Sequence, residues 1–406
     1  MESVLILSKW IYSSTVALAI DRVRARGLRP VLISAFPDDR NRDKCDDHVV
    51  MDWNGEDLPT LITRLEQHEI VPIAVVNQVE PLIGWQIAIA AHYGLPGADA
   101  GRNVLLSKAR VREHMRALGL SDIRFWTDPA QVDYFPAVIK PTRESAASWL
   151  VRRVDGPADL VAYQKHLAEI GLADTELIIE EYLPGTEFSV DGPVVGGRYH
   201  PVLAIEKTDH DHTRHHDAGI LVSPPQQDHV REGVRALIET VDTVSADLHL
   251  DQIWLHVEAR ATEDGRMELL EINPRPGGGM HPAAIREVSG IDPIEAVISM
   301  SLGEFAVPQP QPGSTRDGRF VGLVYVEVHE LGIVEISTTQ DDVRALPGVI
   351  DVEVIDGFKV SSLDKENFFT CFAVTADSVS QLRDRVETVM STLDYRITPL
   401  PEPLAA

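Results

Sequence analysis

Short apolar runs alternate with amphipathic stretches through the first hundred residues. The run VLIL at 4–7 fits a strand buried on both faces. A polar turn at 8–14 and a helix-like stretch to 26 follow, closed by Gly27, and PVLIS at 30–34 reads as a second strand. VPIAVV at 71–76 adds a third strand, and the stretch 82–93, stopped by Gly94, adds a helix. Strand, helix, strand in this order predicts an open α/β unit, placed at 1–102. No G-x-G-x-x-G follows the first strand, so a dinucleotide site there is not supported.

From 103 the pattern changes. SKARVREHMRALGL is helical, with Val111, Met115 and Leu118 spaced for one buried face. YFPAVIKPT is a strand ending at Lys140, and ELIIEEYLPGTEFSVDGPVV holds two strands joined through Pro184 and Gly185. A helix is expected across 229–247. VPQPQPGSTRDG (307–318) is the clearest linker. Beyond it, RFVGLVYVEVHE, GVIDVEVID and FFTCFAVTA read as strands, with a helix over 378–393. The expectation is a mixed α/β chain with a unit at 103–306 and a small α+β unit at 316–406.

Composition narrows the function. Hydrophobic residues at 44% and charged residues at 25% describe a soluble globular chain. A formal net charge of −26 would repel a phosphate backbone, which argues against nucleic acid as a main partner. Cys45 and Cys371 form no C-x-x-C, which predicts free thiols in a reducing compartment. MESVLILSKW lacks signal-peptide character, and no apolar run reaches membrane length; a cytoplasmic protein is expected.

The chemistry concentrates in IWLHVEARATEDGRMELLEINPRPGGG. Asp264-Gly265 is a two-residue hairpin signal. If that turn sets the register, partners sum to 529, so Glu258 faces Glu271 and His256 faces Asn273. All four side chains then share one face, with Val257 and Ile272 on the other. Two facing carboxylates repel, an objection that a bound cation removes. Two carboxylates and an amide suit Mg²⁺ carrying substrate phosphates. From the hairpin alone, a solvated charged face is as good a reading. The Pro-flanked turn and its glycines favour a site, with Arg275 supplying a cationic fork for phosphate or carboxylate oxygens.

At HVEARATEDGRMELLEINPRPGG the sequence resembles the metal-binding strand pair of the ATP-grasp superfamily, most nearly the carboxylate–amine ligases similar to bacterial L-amino acid (dipeptide) ligases. SKARVREHM resembles a helix start in which Ser107 replaces the usual Asp while Lys108 and Arg112 are kept. The resemblance implies an ATP-grasp fold with a lid at about 120–183 and a metal-binding core at about 184–306. It implies that Lys108 and Lys140 hold ATP phosphates and that Glu180 takes the adenine amino group. Glu181 and Leu183 would offer backbone contacts, and Glu187 would bind the ribose. Lys207 would meet the phosphates from the other lobe. Glu258, Glu271 and Asn273 would ligate Mg²⁺, with Mn²⁺ as a substitute, and Arg275 and Lys140 would be the catalytic cations.

One stretch departs from the family pattern. The glycine-rich phosphate flap expected after Lys140 reads TRESAASW, with Ser145, Ala146, Ala147 and Ser148 and no glycine, which makes positive φ costly. A second stretch, DHDHTRHHDAG (209–219), carries His210, His212, His215 and His216. Without further ligands it reads as a solvated or substrate-closing loop before a zinc site. His256 is open between orienting a ligand and an ordinary strand hydrogen bond.

The expected activity is ATP-dependent amide formation between a small carboxylic acid, an amino acid above all, and an amine, through an acyl phosphate. Both substrates are small molecules, and a homodimer is compatible. The alternatives are a purine-pathway-like ligase or carboxylase, and a non-catalytic nucleotide-binding regulator.

Overall fold

The computed structural model describes residues 2–11, 13–143, 146–208, 210–211, 216–217, 219–307 and 318–400. Ser145, His212, His215 and most of the 307–318 linker lie outside them. The first unit is a parallel sheet in the order Asp47–Val50, Arg29–Ser34, Ser3–Ser8, Pro72–Asn77. Ser3–Ser8 is buried throughout because helices cover both faces. Val4 and Ile6 pack with the helix Ser14–Ala25, while Leu5 and Leu7 pack with Leu58–Gln67 and Ile83–Tyr93. Gly94 ends the last of these helices at φ 65°, a left-handed cap.

The helix Lys108–Ala117 buries Val111 and Met115 and is capped by Ser107, whose hydroxyl accepts from the Arg110 N–H at 3.5 Å. Serine in place of aspartate therefore keeps the capping role. A small antiparallel sheet follows, in the order Phe125–Trp126, Leu177–Glu181, Ala137–Pro141, Arg152–Val154. The helix Pro157–Glu169 closes its apolar face through Leu160, Tyr163 and Leu167.

The large antiparallel sheet runs from Met267–Asn273 through Ile253–Ala261, Thr186–Val195, Leu203–Lys207, Leu221–Ser223, Phe320–Glu327 and Phe368–Ala376 to Val349–Val354. Leu221 pairs with Leu323, so the C-terminal strands continue this sheet. They keep a core of their own around Val334, Phe369, Phe372 and Val389. Two short strands unread in the sequence, Gly332–Ile336 and Tyr395–Thr398, pair beside it. His210–Asp211 and His216–Asp217 pair as a two-residue ladder. Among the described residues no helix is long and apolar enough to cross a membrane.

The hairpin corrects one expectation and keeps its consequence. Thr262 donates to the Arg266 carbonyl at 2.9 Å, so three residues, 263–265, make the loop, with Gly265 at φ 88°. Pairs near the turn therefore sum to 528, as in Arg260 with Glu268. A bulge then shifts the register, and Glu258 lies opposite Glu271 and His256 opposite Asn273. The bulge falls at Leu270, next to the carboxylate pair.

Candidate active site

A cavity of about 480 Å³ lies where the small sheet, the large sheet and the C-terminal strands converge. Lys140 lines it from the small sheet, and Glu258, Glu271 and Asn273 line it from the hairpin. Lys207 comes from a neighbouring strand of the large sheet and Arg275 from the turn after the hairpin. Val257 and Ile272 point instead into the core beneath. Strand alternation thus separates ligand-bearing from packing residues, as the sequence pattern requires.

Each facing carboxylate has a lysine. Lys207 Nζ lies 3.3 Å from Glu258 and Lys108 Nζ 3.1 Å from Glu271. Lys108 borders an adjoining pocket that shares Glu271 and Asn273. Burial works against the charged form of Glu258, but Lys207 and His256 outweigh it and hold the acid well below the usual carboxylate range. Burial likewise opposes the Lys108 ammonium, and Glu271, Glu80 and Glu258 overcome it to hold that pKa above its ordinary value. An all-oxygen donor set of two carboxylates and an amide fits a hard divalent cation.

Glu180 sits deeper. Arg112 Nε donates to one carboxylate oxygen at 2.8 Å, and Lys140 Nζ lies 2.7 Å from the other. Arg112 also bonds Glu268 at 2.6 Å and the Leu269 carbonyl at 2.8 Å. Burial would raise the Glu180 pKa, yet Arg112 and Lys140 bring it down to about 2. The Glu180 side chain therefore holds Lys140 in place, a use that the resemblance did not imply. Glu180, Glu181 and Leu183 all line the cavity wall, along the stretch where the resemblance places the adenine.

Glu187 is also held by cations, with Lys207 at 2.6 Å and Arg260 at 3.0 Å. Arg260 donates to the Leu183 carbonyl at 2.9 Å, which ties the turn after the small sheet to the hairpin. Glu181 turns outward toward Arg266 at 3.1 Å. His256 Nδ1 lies 2.7 Å from Asp191 and its Nε2 lies 3.7 Å from Glu258. Asp191 and Glu258 outweigh burial and raise the His256 pKa to about 9. Asp191 also accepts from Trp254 and from the Gly277 N–H, which anchors the glycine turn. A Cβ at Gly277 would stand 2.5 Å from His281, so only glycine fits there.

Several wall residues were not foreseen. Arg275 pairs with Glu80 of the first unit at 2.8 Å, because a nearly enclosed guanidinium recruits an anion. Tyr325 accepts from the Met280 N–H at 3.1 Å, and with Glu353, Glu366, Phe368 and Thr370 it brings the C-terminal strands into the cavity. Polar residues at the end of the run VPIAVVNQVE were the available signal for Glu80. Tyr325 and the C-terminal glutamates had none, because their placement depends on a strand pairing across a long separation.

The glycine-free flap does adopt the conformation that glycine favours. Ala147, Ser148 and Leu150 have φ of 54°, 51° and 58°. Two main-chain bonds fasten the segment to the C-terminal loop that precedes Phe368–Ala376: Leu150 N–H to the Asp364 carbonyl at 2.8 Å, and Glu366 N–H to the Ala147 carbonyl at 2.9 Å. Inter-lobe hydrogen bonds thus stand in for glycine.

Residues 133–283 match the ATP-grasp domain family. No curated protein matches the sequence. Solved structures match over nearly the whole chain. The L-amino acid ligase from Bacillus licheniformis has a TM-score of 0.78 at 18% identity, covering 98% of this chain and 99% of that one. The N5-carboxyaminoimidazole ribonucleotide synthetase from Thermotoga maritima has a TM-score of 0.69 at 13% identity, covering 98% and 100%. The biotin carboxylase domain dimer of the Hydrogenobacter thermophilus 2-oxoglutarate carboxylase, in complex with MgADP and bicarbonate, gives 0.69 at 14%, covering 98% and 91%. The arrangement of the two antiparallel sheets around the cavity, together with these likenesses, makes this an ATP-grasp-fold protein with an ATP-grasp domain at residues 133–283.

Proposed function

We propose that the protein is an ATP-dependent ligase that joins a small carboxylic acid to an amine. One observation carries the reading: the facing carboxylates Glu258 and Glu271, with Asn273, share a cavity wall with Lys140, Lys207 and Arg275. A paired-carboxylate floor beneath clustered cations suits a metal–triphosphate, since the metal takes the carboxylates and the cations take phosphate oxygens. The resemblance to carboxylate–amine ligases and the likeness to an L-amino acid ligase point the same way.

Glu258, Glu271 and Asn273 would hold Mg²⁺, which when bound neutralises charge on the phosphates. Lys140, fixed by Glu180, and Lys108 would draw the terminal phosphates into line. The bond from the γ-phosphorus to ADP breaks as a substrate carboxylate oxygen bonds that phosphorus, giving an acyl phosphate. Arg275 would stabilise the charge that develops there. The amine nitrogen then attacks the carbonyl carbon, the C–O bond to phosphate breaks, and the nitrogen gives up a proton.

The test replaces the amine with hydroxylamine. With ATP, Mg²⁺ and a panel of acids, the expected products are ADP, phosphate and a hydroxamate. AMP and pyrophosphate would exclude the acyl-phosphate route. Nucleotide binding without any acid-stimulated ADP release would point to a regulator.

A further inference from the structure

A second cavity, of about 660 Å³, meets the first at Glu80, Arg275, Gly278 and Gly279. Lys9, Trp10 and Gln78 line it from the first unit, Trp149 from the flap and Lys365 from the loop before Phe368–Ala376. Its place in the fold is that of a ligand crevice. Lys9 follows the strand Ser3–Ser8 and Gln78 follows Pro72–Asn77, its parallel neighbour. Between these strands the sheet order reverses, and open α/β sheets bind ligands outside the carboxyl ends at such a point.

The chemistry of the lining selects a ligand class. Lys9, Arg275 and Lys365 are cationic, and among the described lining residues Glu80 is the one acid, bonded to Arg275 at 2.8 Å. Among the described lining residues, cations outnumber acids three to one, on a chain of net charge −26. The side-chain nitrogen of Gln78 is buried with no hydrogen-bond partner among the described residues. A buried donor of this kind calls for an acceptor oxygen. The half-exposed Trp10 and the flap residue Trp149 supply apolar faces. Carboxylates that would attract an ammonium lie elsewhere, since Glu353 and Glu366 line the first cavity.

We infer that this cavity binds the acid substrate and that the acid is dianionic, with one carboxylate at Arg275 and a second anionic group read by Lys9, Lys365 and Gln78. The assignment rests on the ligase reading for which carboxylate is activated. Its apolar body lies against Trp10 and Trp149. The carboxylate at Arg275 is the one phosphorylated, because Arg275 borders both cavities and so faces the nucleotide side. The remote anion supplies binding energy and selectivity without taking part in bond making.

Calorimetric titration of the full chain tests this with matched probes: glutarate and homophthalate as dicarboxylates, phosphoglycolate as the phosphate-bearing acid, and butyrate and phenylacetate as monocarboxylates. The dianions are expected to bind at least about tenfold more tightly than their matched monocarboxylates, the value of one charge-assisted contact. Lys9→Met and Lys365→Met should each weaken dianion binding by about tenfold and leave the monocarboxylates within about twofold. Comparing the dicarboxylates with phosphoglycolate identifies the second anion. If monocarboxylates bind as well as dianions, or if both lysine variants leave dianion affinity unchanged, the inference is overturned. The ligase reading survives that result as long as any acid yields a hydroxamate. Lysine-dependent dianion binding with no hydroxamate from any acid supports the pocket assignment and removes the ligase reading.

Discussion

Glu258 and Glu271 stand directly opposite each other, and each is closed by a lysine from a different element, Lys207 at 3.3 Å and Lys108 at 3.1 Å. The repulsion expected of facing carboxylates is thus already compensated without a metal. In the proposed reaction the lysines turn to phosphate oxygens as the cation takes the carboxylates. Glu271→Gln is expected to cut acid-stimulated ADP release by about 10²–10³. It should also lower the thermal midpoint in the absence of Mg²⁺, because Lys108, 8% exposed, loses its nearest anion. Calorimetry in the presence of a chelator checks this, and a rise in midpoint would mean that carboxylate repulsion dominates.

Glu180 gives a stability prediction with a pH signature. Glu180→Gln leaves Arg112 and Lys140 without a shared anion in a buried place, which costs about 3–5 kcal/mol at neutral pH. The folded-state pKa of about 2 lies below the ordinary 4.5, so the carboxylate stabilises the fold fully above the ordinary value. That contribution is lost as pH falls toward the folded value. Urea midpoints of wild type and variant should therefore converge as pH drops through this window. A gap that stays constant with pH would show that the loss is one of packing.

The hairpin shows what was legible in the sequence and what was not. Strand alternation puts Glu258 with His256 on one face of their strand and Glu271 with Asn273 on one face of theirs whatever the turn, but only the register decides that the two faces coincide. The turn differs from the two-residue one that Asp-Gly predicts. Thr262 closes a three-residue loop, and the bulge at Leu270 restores the pairing that the two-residue turn had predicted. A bulge has no local sequence signature as strong as Asp-Gly, so this agreement was fortunate. Partners such as Glu80 for Arg275, 195 residues apart, and Glu268 for Arg112, 156 apart, were beyond reach. Charge complementarity selects them only once the chain has folded.

The flap tests whether glycine was dispensable. Ala147 at φ 54° bears the left-handed penalty of about 1–2 kcal/mol, while glycine there costs about 0.5–1 kcal/mol of extra unfolded-chain entropy. Ala147→Gly should therefore be neutral or stabilising by up to about 1.5 kcal/mol. Ala162→Gly, on the exposed face of the helix Pro157–Glu169, should lose about 1 kcal/mol. Chemical denaturation of both variants provides the comparison, and equal losses would refute the strain.

Asp364, in the loop before Phe368–Ala376, joins the small sheet to the C-terminal unit by side chain and main chain together. Its carboxylate lies 3.0 Å from Arg152 and 2.9 Å from His166, and its carbonyl accepts the Leu150 N–H at 2.8 Å. The carboxylate is 20% exposed, so the pairs are partly shielded from solvent and stronger than a surface contact. Asp364→Ala removes both side-chain contacts but leaves the carbonyl, so the flap should open locally without global unfolding. Hydrogen exchange at the Leu150 amide is expected to speed up by about ten- to a hundredfold, the equivalent of about 1.4–2.8 kcal/mol of local stability. Amides in Ser3–Ser8, buried in the distant parallel sheet, should keep their wild-type rates. Under the proposed function the KM for ATP should rise with the opening while kcat changes less, since the flap closes over the phosphates before chemistry. Uniform acceleration of exchange across both sheets would instead assign Asp364 to global stability.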